Sequence, residues 1–347
     1  MKVLIVKKNQ IGDMVLCLPL ATFIKRHHPD WQVYFMGKRF NSVLVSAYAD
    51  ADGFVDLTAL QKLSEEQQIK SLKKYQFDIV LHVTPDKKIA RLTKKAAIKT
   101  RIGTRNRIYH WQYCNKLPAL SRKKSPLNEA QLDCFLLSSL GLPYQYSREE
   151  IAQSYRYKKI ELTKNAANFL DANKFNLLIH PLTRGRHIEW PMSQYLALIK
   201  QLPGDMFNVI TTEHANDLAL VESELLSYIR HLPHVRPSEG QLDLTDLISL
   251  IHHADGMIAS STGPIHLAAS AGKFALGLYA PIKPFDGRRW GPIGVRAKYV
   301  SIDKRCDGCR DMSPCRCVAE IEVRRVYAEI MQWLDLDPSN YVKNAST

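Results

Sequence analysis

The feature that most constrains this chain is a recurring order of segments. Short β-branched runs are followed by amphipathic stretches, and the order repeats in both halves of the 347 residues. In the first half, residues 2–6, 31–36, 54–57 and 77–83 read as strands, and residues 14–27, 64–75 and 129–140 as helices. A polar, tyrosine-rich stretch over 143–159 then breaks the pattern. The order restarts with strands over 175–180, 207–211, 256–259 and 274–279, and helices over 192–202, 215–229, 244–253 and 264–271. Repeated β-then-α order predicts an α/β chain with parallel sheets covered by helices. The length is about twice that of an ordinary domain. It predicts two Rossmann-like domains, 1–155 and 156–347, with the tyrosine-rich stretch as linker. A C-terminal helix is free to pack back on the first domain. In such sheets ligands bind beyond the carboxyl ends of strands, so the loops there are where chemistry is sought.

At 46% hydrophobic and 24% charged, the chain has enough apolar content for ordinary cores, which argues against wholesale disorder. The longest apolar run, residues 15–24, falls short of the ~18 residues of a membrane span. The first apolar stretch is too short for a secretory signal, and the seven cysteines do not resemble a secreted disulfide framework. A cytosolic protein is expected. The net charge is +14, and it is concentrated. Residues 82–125 hold thirteen basic side chains, among them Lys87, Lys88, Arg91, Arg105 and Arg107, against the single acid Asp86. A block of this kind reads either as a solvated helix face and loop or as the docking surface for an anionic partner. Tyr109, Trp111 and Tyr113 lie inside it, a composition suited to a membrane interface or a stacked base.

Four loops carry residues of chemical interest. In the first, Gly12 permits a tight turn, and Asp13 reads either as a helix N-cap or as a carboxylate aimed into a cleft. Neither GxGxxG nor GxxxxGK[ST] occurs. In the second, Ser261, Thr262, Gly263 and Pro264 form a helix start whose free N–H groups, dipole and hydroxyls suit a phosphate. His266, a turn later, either faces the same ligand or packs as a core histidine. In the third, 180–191, Thr183 precedes Arg184, Arg186 and His187, a set suited to a diphosphate or to a solvated loop. In the fourth, Cys306, Cys309, Cys315 and Cys317 can reach one structural tetrahedral zinc, the alternatives being unliganded thiols or a disulfide.

Three blocks occur in register: Ile11-Gly12-Asp13 with Leu16 and Pro19 following, His180-Pro181 running on to Trp190-Pro191, and Ser261-Thr262-Gly263-Pro264-Ile265-His266-Leu267-Ala268-Ala269. In type, order and spacing they resemble the signature blocks of glycosyltransferase family 9, which contains the ADP-heptose:lipopolysaccharide heptosyltransferases. The resemblance implies a GT-B fold, two Rossmann-like domains facing across a cleft, with acceptor on the first and nucleotide sugar on the second. It implies an inverting transfer that requires no cofactor, with Asp13 as general base. The donor site it implies is Gly12, Thr183, Arg186, Ser261, Thr262, Gly263, Pro264 and His266. Family members often carry Asp at the Ser261 position and Lys shortly before the Trp-Pro pair. Arg186 and His187 are the candidates for that cation, and Arg186 is preferred because it stays charged. Glu213 or Asp217 stands where a ribose-binding carboxylate is expected.

These features predict transfer of a sugar, a heptose from ADP-heptose, onto an anionic lipopolysaccharide core acceptor at the inner face of the cytoplasmic membrane. Lys87, Lys88, Arg91, Arg105 and Arg107 would meet the acceptor's acidic groups. The alternatives are a sugar-nucleotide-modifying enzyme of the same fold, an epimerase or hydrolase, and a nucleic-acid-binding protein. No recognised nucleic-acid-binding motif supports the last, and no nucleic-acid partner is expected.

Overall fold

The computed structural model describes residues 1–122, 125–183, 189–304 and 316–336. The chain divides into two compact units, Met1–Lys159 and Ile160–Thr347. Unit 1 holds β1 (Lys2–Val6), β2 (Gln32–Gly37), β3 (Gly53–Asp56), β4 (Ile79–His82) and β5 (Thr100–Ile102) in one parallel sheet of order β3-β2-β1-β4-β5. Unit 2 holds β6 (Phe175–His180), β7 (Phe207–Thr211), β8 (Val235–Pro237), β9 (Gly256–Ser260), β10 (Phe274–Leu278) and β11 (Ala297–Val300). Its sheet is also parallel, in the order β11-β10-β9-β6-β7-β8. Each order reverses once, between β1 and β4 in unit 1 and between β6 and β9 in unit 2. Diverging connections open a crevice at such a point, and the loops after these four strands edge it.

The inner strands are near-continuous apolar runs because both faces are covered. Val3 to Val6 of β1 are fully buried, as are Phe175, Leu177 and Ile179 of β6. The unit 2 core is aromatic: Phe175 and Phe274 both stack on Trp333. Trp333 belongs to helix Val323–Leu336, whose stripe Val326, Ile330, Trp333 and Leu334 is part of that core. This last described helix therefore packs within unit 2, since its apolar face fits the aromatic cluster.

Several segments differ from the sequence reading. The helix expected over 14–27 is two, Ile11–Cys17 and Pro19–His27, because Pro19 has no N–H to continue the first and is preorganised to start the second. The stretch over 143–159 is not a free linker. Tyr146 stacks on Phe23 at 3.6 Å, Ser147 caps a helix Arg148–Ala152, and Tyr157 bridges Tyr48. These tyrosines bury apolar area against unit 1, which carries the division about four residues past 155. The helix expected over 215–229 is broken into Ala215–Asp217, Leu218–Val221, Glu222–Leu226 and Ser227–Ile229, of 3₁₀, α, π and α form.

Candidate functional site

At the unit 1 crevice, β1 ends in Val6 and the chain enters the loop Lys7–Gln10 before helix Ile11–Cys17. Gln10, not Asp13, occupies the N-cap, so Asp13 is the third helical residue and its carboxylate is not used as a cap. It is buried, accepts a hydrogen bond from Asn9 Nδ2 at 3.1 Å, and lies 3.9 Å from the Lys7 ammonium. Asn9 is held in turn: its Oδ1 accepts from Thr84 Oγ1 at 3.1 Å, and its carbonyl from Asn41 Nδ2 at 3.2 Å. Lys8 pairs with Asp86. Thr84 and Asp86 follow β4, so these bonds tie together the two loops that flank the switch point. Gly12 is buried beside Asp13, in unit 1, whereas the rest of the expected donor set lies in unit 2.

Beneath Asp13 is a charge network that the sequence reading missed. Lys7, 2% exposed, donates to Asp133 at 2.8 Å. Arg122 donates to the other oxygen of Asp133 at 2.8 Å and pairs with Glu129. Asp133 is fully buried on helix Glu129–Cys134. A buried charge needs a partner, so an acid flanked by Leu132, Cys134 and Phe135 was the available signal. Nearby, burial first and then the neighbouring His110 lower the pKa of His82, at the end of β4, to about 3.

At the unit 2 crevice, β9 delivers Ser260 and the turn Ser261–Thr262 into helix Gly263–Ser270. Thr262 is the N-cap residue, in extended conformation, yet its side chain makes no capping hydrogen bond. Its hydroxyl is therefore not committed to the first-turn N–H groups, which point, with the helix dipole, out of the helix start. Ser261, Thr262 and Gly263 are half-buried, while Pro264 and His266 are buried. After β6, Thr183 donates from both its N–H (2.6 Å) and its hydroxyl (2.7 Å) to Glu189 Oε1. Glu189 thus closes the base of the loop. Trp190 N–H then donates to Ser260 Oγ at 3.0 Å, joining the loops after β6 and β9. Arg186 and His187 lie outside the described residues.

After β7, Glu213 is buried and accepts from Ser238 Oγ at 2.8 Å and from the Glu239 N–H at 3.1 Å. Burial raises its carboxyl above the usual range despite these donors. Asp217 is half-buried, at the end of Ala215–Asp217.

The basic block is not uniformly a surface. Arg101 donates to the carbonyls of Ile98, Lys99 and Tyr113, and Arg122 serves the buried network. Arg91 and Lys95 share Glu65. Arg91, one of the expected acceptor ligands, is exposed and pairs with Glu65. Lys87 and Lys88 open helix Lys87–Lys95, and with Arg105 and Arg107 they are exposed and make no ion pair among the described residues. Of the cysteine cluster, Cys317 is buried in the unit 2 core, and Cys306, Cys309 and Cys315 lie outside the described residues. Among the described residues no group of three His, Cys, Asp or Glu is placed to hold a metal ion, and no helix is long and apolar enough to cross a membrane.

Two doubly wound units, each with polar loops gathered at its switch point, are the architecture of an α/β enzyme with a candidate ligand site in each half. The family description "Glycosyltransferase family 9 (heptosyltransferase)" matches residues 66–317, and the chain belongs to that family and is a glycosyltransferase. The matched span begins after the Asp13 loop. The lipopolysaccharide core heptosyltransferase OpsX of Haemophilus influenzae is 25% identical over 313 residues, covering 86% of this chain and 83% of that protein. The fold is GT-B. Escherichia coli ADP-heptose lps heptosyltransferase II shares it with TM-score 0.76 at 17% identity, over 98% of this chain and 100% of that one. E. coli heptosyltransferase WaaC, solved with ADP, has TM-score 0.73 at 16% identity, over 96% and 100%.

Proposed function

We propose that this chain transfers a heptose from ADP-heptose, with inversion, onto an anionic lipopolysaccharide core acceptor. The observation that carries the reading is the chemistry at the two crevices: a buried, oriented carboxylate that caps nothing in unit 1, and a helix start left without a side-chain cap in unit 2. The names of the relatives support the substrate class, and the ADP in the WaaC structure supports the nucleotide.

In this mechanism Asp13 takes the proton from the acceptor hydroxyl as that oxygen attacks the anomeric carbon. The bond from that carbon to the diphosphate breaks, and the diphosphate leaves with the added negative charge. The Thr262 and Gly263 N–H groups, the Thr262 hydroxyl and Arg186 stabilise that charge. Thr183 shapes the loop, Ser261 meets the sugar, and His266 supports the diphosphate from the first helical turn. Lys87, Lys88, Arg105 and Arg107 face the acceptor's carboxylates and phosphates, and the reaction is set at the inner surface of the cytoplasmic membrane. No cofactor enters the scheme.

Asp13→Asn keeps the shape of the site but removes the base, and is expected to lower kcat by ~10²–10⁴-fold with donor binding retained. Full transfer by this variant would refute the assignment of Asp13. A thermal-shift panel of ADP-, GDP- and UDP-sugars tests the donor: Tm rises with the nucleotide sugar that binds the native state. Consumption of the sugar nucleotide at an undiminished rate without acceptor would favour an epimerase or hydrolase instead.

A further inference from the structure

Helix Ile108–Tyr113 in unit 1 turns two large apolar side chains to solvent. Ile108 is 91% exposed and Trp111 65%, the two most exposed large hydrophobic residues described in that unit. Single exposed apolar residues are ordinary. These two are one helical turn apart and share a face.

Their exposure is built in. His110, between them, is fully buried, with Nδ1 2.8 Å from the Thr104 carbonyl. Cys114 is buried just after the helix. A Cβ at Gly103 would come within 2.8 Å of both Cys114 Sγ and His110 Nδ1, so the glycine lets the helix seat closely by its other face. Trp111 Nε1 donates to the Arg105 carbonyl at 2.9 Å, which orients the indole and satisfies its one polar atom. Lys94 Nζ donates to the Gln112 carbonyl at 2.8 Å, tying the helix to helix Lys87–Lys95.

Cations surround the pair. Arg107 is the N-cap residue, Arg105 precedes it by two positions, and Lys99 and Lys116 are also exposed. None of these four makes an ion pair among the described residues.

We propose that helix Ile108–Tyr113 is a membrane-seating element: Ile108 and Trp111 enter the interfacial layer of an anionic bilayer while the flanking cations bind its headgroups. Charge complementarity selects this occupant. Lys and Arg near the surface attract anionic lipid, and an apolar residue beside a tryptophan suits the headgroup–acyl boundary. A second copy of the chain would bring the same cations against one another. The inference deepens the reading above, because it rests on an acceptor carried by a lipid and shares Arg105 and Arg107 with acceptor binding, but it assigns the apolar part of membrane attachment to Ile108 and Trp111, which take no part in the transfer chemistry.

The test is co-sedimentation of the full chain with vesicles of phosphatidylcholine alone or with ~30% phosphatidylglycerol, for wild type, Ile108→Ser/Trp111→Ser and Asp13→Asn. Wild type and Asp13→Asn are expected to bind the anionic vesicles and not the neutral ones. The double variant is expected to bind them at least about tenfold more weakly, from the loss of two apolar side chains that enter the bilayer. Its rate on a soluble, delipidated acceptor fragment should match wild type. Trp111→Phe should abolish a vesicle-induced blue shift in tryptophan emission. Equal binding by the double variant overturns the proposal, as does a wild-type dimer in sedimentation analysis that this variant dissolves. Vesicle binding by a wild-type chain that transfers no sugar would overturn the proposed function and leave the seating element standing.

Discussion

Lys7→Met tests the buried network under Asp13 most directly. The lysine and Asp133 side chains are 3% and 0% exposed, and their charges are 2.8 Å apart. At an effective dielectric of ~20 the gross attraction is about 6 kcal/mol, most of it offset by the cost of desolvating both ions. Removing one partner of a buried pair costs ~3–5 kcal/mol because the other is left uncompensated. Here Arg122 still holds Asp133 at 2.8 Å, so the lower end, about 3 kcal/mol, is expected. The unbranched methionine preserves the stem packing, which isolates the charge. Asp133→Asn should cost a similar amount. The double variant should cost less than the two together by ~1–3 kcal/mol, since neither remaining group then faces a missing partner. The assay is urea unfolding followed by hydrogen exchange of the β1 amides, which reports on unit 1 alone if the two units unfold separately. A cost under ~1 kcal/mol for Lys7→Met, or strict additivity within ~0.5 kcal/mol, would show that this network does not hold the Asp13 loop.

The pKa of His82 is held at about 3 in the folded chain, against ~6.5 unfolded, so the unfolded state gains a proton that the folded state refuses. Its contribution is present above ~6.5 and is lost as pH falls toward 3, at ~1.4 kcal/mol per unit; His82→Gln should flatten acid unfolding curves between pH 6 and 4. Burial raises Glu213, so its carboxyl favours the folded state below the usual carboxylate range and opposes it as pH climbs through the folded value. Glu213→Gln should therefore gain in Tm relative to wild type as pH rises from 4 to 8, and a constant difference would contradict this. If Glu213 is the ribose ligand, the same variant binds ADP about tenfold more weakly or worse, whereas Asp217→Asn does not. Gly294→Ala would set a Cβ 2.0 Å from the Ala269 carbonyl oxygen, at the far end of helix Gly263–Ser270. Overpacking of this kind costs ~1–3 kcal/mol, read as a lower Tm, and an unchanged Tm would show that the backbone gives way freely.

Local pattern was enough for much of this protein. The β-then-α order, the parallel sheets and the turn before Gly263 are written in runs of neighbouring residues, because strand and helix periods and helix-start chemistry act over a few positions. The placement of Asp13 and Thr262 at helix starts was legible for the same reason, although Gln10 rather than Asp13 turned out to cap the helix. The short strands β5, β8 and β11 escaped, being three or four residues of mixed polarity whose pairing depends on a neighbour already in place.

What the tertiary structure alone decided is which charges meet. Lys7 and Asp133 are 126 positions apart, and Trp190 and Ser260 are 70. No period or spacing encodes such pairs; they exist because the sheet brings the ends of non-consecutive strands together and because a buried ion must find its counter-ion there. The sheet and its packed loops likewise sorted a basic block that looked uniform in sequence. Arg101 and Arg122 are drawn inward by carbonyls and buried acids, while Arg105 and Arg107 remain at the surface beside Ile108 and Trp111. Composition set the amount of charge, and burial, which only the folded chain has, set where it can act.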